Sequence, residues 1–158
     1  MRTVPGALYL LTLSLWVGGM AIFTFLVTPI IFRSYGRDHA GEIVGRLFPA
    51  YFPYLLALSV LALVLFLLLR ADRGAAISRI SLALLALAVV VNLYVTFKLH
   101  PDAVRIKQQI ASFERDAGDS PARMAFRRLH ALSAALNLAV LADGVALLLL
   151  SRHLCKNG

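Results

Sequence analysis

A single cysteine, Cys155, closes off two common ways of holding a small protein together. One thiol makes neither an internal disulfide nor a thiolate metal cage. Charge is scarce too: Asp, Glu, Lys and Arg supply 15% of the 158 residues, against about a quarter in soluble chains. Acidic residues are the rarer kind, eight against 16 Lys and Arg. The sequence holds no H-x-E, no C-x-x-C, no phosphate-binding GxxxxGK, no GxSxG and no carboxylate pair at metal spacing. Met1, Met20 and Met124 are scattered, so no soft-metal path of Met and Cys is visible. These absences turn the reading away from an enzyme.

What is present is apolar. Hydrophobic residues make up 60% of the chain, and its mean hydropathy is +0.80. A soluble domain of this size still exposes about 30% of its unfolded-chain surface, too much to hide such a composition. The net charge of +8 reads as the basic flanks of membrane spans against anionic headgroups, not as a nucleic-acid footprint.

Four runs reach the ~20 residues that a helix needs to cross hydrocarbon. They cover about 5–32, 47–69, 80–99 and 129–150, the last within a helix expected over about 121–151. The first, behind Arg2, is too long for a signal-peptide core and lacks a clear cleavage site, so it reads as a retained helix. The expected fold is all-α: one integral membrane domain over 1–158, a four-helix transmembrane bundle with a protruding helical connection between helices 3 and 4.

The connections differ. Arg33 to Arg46 is polar and glycine-bearing, and Arg70 to Arg79 reads as a tight turn. In the long third connection Ala103, Ile106, Ile110, Phe113 and Ala117 recur at spacings of three and four, which predicts an amphipathic helix over about 102–117. Gly118 would end it, and Ser120-Pro121 would be N-cap and first residue of helix 4. Pro29 should kink or end helix 1, and His100-Pro101 should break helix 3. Pro49 is tolerable at the start of helix 2; Pro53, one turn later, is not neutral.

Orientation follows from Lys and Arg. Arg2, Arg70, Arg73, Arg79, Arg152 and Lys156 lie on the side of the termini. Arg33, Arg37, Arg46, Lys98, Arg105, Lys107, Arg115, Arg123, Arg127 and Arg128 lie on the other. The positive-inside rule makes the richer side cytoplasmic and the termini periplasmic.

Polar groups within the apolar runs are the candidate site. Gly18 and Gly19 follow Trp16, and suit close helix packing. Trp16 lies too deep for an interfacial belt, so it should face the bundle, where its N–H needs an acceptor. Asn92 and Thr96 share a face of helix 3. His130, Ser133 and Asn137 share a face of helix 4, with Asp143 on another. Intramembrane polar groups turn to the bundle interior. His130 could bond to helix 1 and Asn137 to Asn92, or His130 could ligate haem or a metal.

Order and spacing together resemble one family. Leu15-Trp16-Val17-Gly18-Gly19, Gly45-Arg46-Leu47-Phe48-Pro49-Ala50-Tyr51-Phe52 and Phe126-Arg127-Arg128-Leu129-His130-Ala131-Leu132-Ser133 carry a resemblance to the transmembrane protein 205-like family, in its bacterial branch. The resemblance implies four transmembrane helices, puts His130 at the family's recurrent histidine, and brings no settled activity. More distantly the architecture is similar to copper-resistance-D-like and protoporphyrinogen-oxidase-like membrane proteins, which use bundle histidines with haem or metals.

Three functions fit these residues. The first is a module that binds or passes a small solute or ion through a cavity lined by Trp16, Asn92, His130, Ser133 and Asn137. It would be a homo-oligomer among membrane lipids, in the bacterial inner membrane. The second is a haem protein using His130, told apart by visible absorbance. The third is a structural or regulatory subunit.

Overall fold

The computed structural model describes residues 3–69, 75–113 and 120–151. The expected turn at Arg70–Arg79 falls partly outside them, as do Glu114, Arg115, Ala117 and Gly118 of the third connection, and Cys155.

The described residues form four long helices. Helix α1 joins an α-helix Thr3–Ile22, a π-helical turn Phe23–Val27 and an α-helix Thr28–Ser34. Helix α2 is Arg37–Leu69. Helix α3 joins Ala75–Tyr94, a second π-helical turn Val95–Leu99 and His100–Lys107. Helix α4 is Pro121–Leu150. All four are long and apolar enough to cross a membrane. The chain is a four-helix, all-α membrane bundle.

Each helix turns one narrow stripe inward. Tyr9, Leu13, Trp16 and Met20 do so on α1; Leu55, Ser59, Ala62 and Phe66 on α2. Leu85, Ala88, Asn92, Val95 and Leu99 follow on α3, and Val140, Asp143 and Leu147 on α4. The three- and four-residue spacings are those of a packed helix seam. Large side chains such as Leu8, Leu11, Leu15, Phe25 and Leu68 point outward, as a lipid-facing surface requires. Small residues set the closest approaches. A Cβ on Gly144 would lie 2.8 Å from Val17 Cγ2, and one on Gly19 would lie 2.9 Å from Tyr54 Oη. Tyr54 uses that space to donate to the Leu15 carbonyl at 2.8 Å. Gly18 faces open space instead.

The inward stripes of α1 and α3 superpose at one offset of 72 residues: Tyr9 with Ser81, Leu13 with Leu85, Trp16 with Ala88, Met20 with Asn92. At the same offset Thr24-Phe25-Leu26-Val27-Thr28-Pro29 meets Thr96-Phe97-Lys98-Leu99-His100-Pro101. Both π-helical turns end two residues before their proline. The first and third helices thus carry one pattern at a single offset, through the π-helical turn to its proline.

Several expectations are corrected. Neither Pro29 nor His100-Pro101 breaks its helix, and His100 is itself α-helical at φ −65°, ψ −49°. The π-helical turn absorbs the conflict: the Thr28 amide bonds back to Phe23 O and the His100 amide to Val95 O, five residues each way. The ladder is already widened where a proline without N–H arrives. Helix 2 begins at Arg37, not near 47, so the polar stretch after Arg33 is mostly helix. Tyr35, extended at φ −131°, ψ 154°, makes the turn with Gly36, and Asp38 lies in the first turn, where negative charge suits the helix dipole. Pro49 and Pro53 therefore lie inside α2; both face outward.

The amphipathic helix expected over 102–117 stops at Lys107. Three-residue bonds from Gln109 to Ile106 and from Ile110 to Lys107 tighten its end. Asp38 then captures the chain, accepting from the Phe113 amide at 2.6 Å and from Ser112 Oγ at 2.5 Å. The start of α4 is as expected: Ser120 caps it, its Oγ accepting from the Arg123 amide at 3.3 Å, with Pro121 first in the helix.

Candidate functional site

At the end of the bundle carrying the 33–46 and 100–128 connections, the four helices surround a cavity of about 750 Å3. Its floor is a hydrogen-bonded trio from three helices. Tyr51 Oη on α2 donates to Asn137 Oδ1 on α4 at 2.9 Å, and Asn137 Nδ2 donates to Thr24 Oγ1 on α1 at 2.9 Å. Thr24 sits in the π-helical turn, where its carbonyl meets Pro29 and finds no N–H. The expected Asn137–Asn92 bond is therefore not made; Asn137 lies across from Tyr51 and Thr24 instead.

The walls are aromatic. Phe23 stacks on Tyr51 with ring centres 4.1 Å apart, and Phe48 stacks on Phe52 at 5.0 Å. His100 packs against both Phe48 and Phe52, at 5.6 and 5.1 Å. His130 is exposed on α4 and stacks on Phe126 at 6.0 Å. Both histidines border the cavity.

The mouth is basic. Arg37, Lys107, Arg123 and Arg127 line it, and no Asp or Glu does so among the described residues. Lys107 reaches from the end of α3 across Gly41 and Gly45, its Nζ donating to the Gly41 carbonyl at 2.7 Å. A Cβ on Gly41 or Gly45 would meet that Nζ at 3.7 or 3.5 Å, so the lysine lies in van der Waals contact with this face of α2. Arg123 Nη2 donates to the Ser112 carbonyl at 2.8 Å and lies 5.6 Å over the Phe113 ring. Residues 112–113 are thus tied to α2 through Asp38 and to α4 through Arg123, and they bridge the mouth.

Of the residues singled out in the sequence, His130, Ser133 and Asn137 border this cavity. Trp16 and Asn92 do not. They lie deeper in the core, and Trp16 Nε1, Asn92 Nδ2 and both oxygens of Asp143 have no hydrogen-bond partner among the described residues. Spacing missed Thr24, Lys107 and the wall residue Phe23, whereas the aromatic cluster of Phe48, Tyr51 and Phe52 reads from the sequence as an interfacial anchor or the rim of an entrance. The signals were there for two of them: Thr24 repeats at Thr96 ahead of a matching proline, and the Gly41–Gly45 pair marks a face on which a long side chain can lie. Among the described residues, no group of three or more His, Cys, Asp or Glu is placed to hold a metal ion.

A four-helix membrane bundle with a basic, aromatic-walled cavity at one end defines the class: an integral membrane protein. The chain belongs to the family of a domain of unknown function (DUF4149), whose pattern matches residues 11–112. That match takes in α1, α2, α3 and the bridge as far as Ser112, and stops before α4. No curated protein and no solved structure matches the chain.

Proposed function

We propose that the protein binds or passes a small solute or ion through the cavity at the basic end of its bundle. The observation that carries this reading is the half-open space of about 750 Å3 over the Thr24–Asn137–Tyr51 floor. It falls in the ~300–1,000 Å3 range of small-ligand sites, which pair apolar walls with a few placed polar groups. His130, Ser133 and Asn137 are the proposed ligand contacts on α4, and Trp16 and Asn92 support the core beneath. Thermal unfolding in detergent against a panel of small solutes tests it. A ligand of the cavity raises the melting temperature, and Asn137→Ala or His130→Ala weakens that ligand at least tenfold. A His130→Ala variant that is destabilised but binds like the parent removes His130 from the site.

One observation favours a second reading, a haem protein. His100 and His130 come from different helices and border the same space, so the cavity holds two imidazoles where the sequence offered one. The basic mouth suits haem carboxylates, and the group would supply electron transfer. Purified protein with a Soret band lost in His130→Ala supports this reading; colourless protein after growth with added haem removes it.

The resemblance to the transmembrane protein 205-like family belongs to the same reading, as does a homo-oligomer in a bacterial inner membrane. The excess of Lys and Arg around the cavity end supports a cytoplasmic position for that end and a periplasmic one for the termini. A C-terminal alkaline phosphatase fusion should then be active and a C-terminal fluorescent-protein fusion dark; the opposite pair inverts the orientation.

A further inference from the structure

We propose that the cavity's ligand is a single-chain anionic amphiphile that enters from the bilayer, through the seam between α1 and α4. This rests on the reading that the cavity is a ligand site, and gives that ligand its chemistry and its route.

The charge comes first. The cavity's border carries several cations and no carboxylate among the described residues. Lys107 spends its ammonium on a neutral carbonyl, and Arg37 has no ion pair among the described residues. Cations gathered at the edge of an apolar space favour an anion there, since partial desolvation strengthens the attraction. The walls set the other half of the ligand. Phe23, Phe48, Phe52 and Phe126 offer an apolar surface below the charges, suited to a hydrocarbon chain and not to a small hydrophilic anion.

The route follows from which seams are closed. At this end α1 and α2 stay packed together up to their short turn. Phe48 and Phe52 close α2 on His100 of α3. The last two turns of α3 pack along α4. On the water side Phe113 lies across the mouth, held by Asp38 and by the Arg123 guanidinium over its ring. The fourth seam is different. Beyond the Thr24–Asn137 bond, the Thr28–Ser34 turns of α1 pack on α2 and leave α4 with at most a glancing contact. Ala131 and Ala134, exposed and among the smallest side chains of α4, border the cavity there. A ligand reaching that gap comes from the hydrocarbon layer with its headgroup level with the basic mouth. The volume of about 750 Å3 suits one chain with its headgroup, at the scale of a drug-sized ligand, better than a whole two-chain lipid.

The test uses the full-length protein in a neutral, non-ionic detergent with radiolabelled palmitate as probe. Hexadecanol, acetate and phosphatidylglycerol are the competitors. Palmitate should bind saturably at about one per chain and at least tenfold more tightly than hexadecanol, with no competition from acetate and little from phosphatidylglycerol. The double variant Arg37→Gln, Lys107→Gln should weaken palmitate at least tenfold and leave hexadecanol unchanged. Ala134→Trp should abolish binding while Ala134→Ser preserves it; if the tryptophan variant fails to fold, the charge variant carries the test. Hexadecanol binding as well as palmitate overturns the charge requirement. Acetate competing fully overturns the amphiphile, and phosphatidylglycerol competing on equal terms overturns the single chain. If none of these probes binds while the solute panel yields a cavity ligand, this inference falls and the cavity reading stands. If the panel fails as well, both fall.

Discussion

Gly144 and Val17 fix how closely α1 and α4 meet. A methyl group on Gly144 would sit 2.8 Å from Val17 Cγ2, closer than carbon atoms tolerate. Gly144→Ala should therefore destabilise the bundle by about 1–3 kcal/mol, the usual range for overpacking. Removing the opposing methyl groups with Val17→Ala should restore most of the loss, and Gly18→Ala, which meets open space, should change little. Thermal unfolding of the three variants beside the parent in one detergent checks this; an undiminished Gly144→Ala single variant would contradict it. At this scale the sequence was readable by face but not by partner. Spacing brought His130, Ser133 and Asn137 to one side of α4, and the structure has them at the same cavity. Nothing in spacing could pair Asn137 with Tyr51 and Thr24, residues 86 and 113 positions away, because the relative rotation of packed helices decides that. Gly18 and Gly19 looked equivalent for the same reason: adjacent residues point about 100° apart, and only Gly19 turns toward Tyr54.

At the scale of elements, the four apolar runs gave four helices, while their ends moved. Hydropathy marks where lipid lies along a helix and says nothing of how far the helix continues into water. Arg37 to Arg46 is polar yet helical, because Tyr35-Gly36 alone makes the turn. Prolines misled in the other direction. Local preference places a break at Pro29 and Pro101, but in a membrane an open break exposes backbone to hydrocarbon, so the chain widens by one residue and runs on. This has a consequence for deletions. A π-helical turn holds one residue more than an α-turn, so removing that residue leaves the phase of everything after it unchanged. Deleting Phe97, 70% exposed in the second π-helical turn, together with Pro101→Ala should leave a folded protein with Lys107 still over Gly41. Deleting Ala86 from the α-helical part should rotate Asn92, Val95 and Leu99 by about 100° out of the core and prevent folding. Monodispersity on size-exclusion chromatography and the melting transition separate the two deletions; equal damage from both would contradict the account.

Across the whole molecule α1 and α3 carry one pattern, and their correspondence is stronger in geometry than in letters. Between α1 and α3 the shared residues are scattered: Leu10, Leu13, Leu15 and Val17, then the Thr24-Phe25 pair, Pro29 and Arg33 each meet the same residue 72 positions on. Inward positions of any packed helix recur at three and four, so their agreement alone looks generic until burial and the two π-helical turns fall at the same offset. Trp16 is the chain's sole tryptophan and is wholly shielded from the surroundings. The protein therefore carries its own optical reporter, sealed at the core of the bundle and out of reach of dissolved quenchers. Any loosening of that core in the membrane would be written in the colour of its emission, with no label attached.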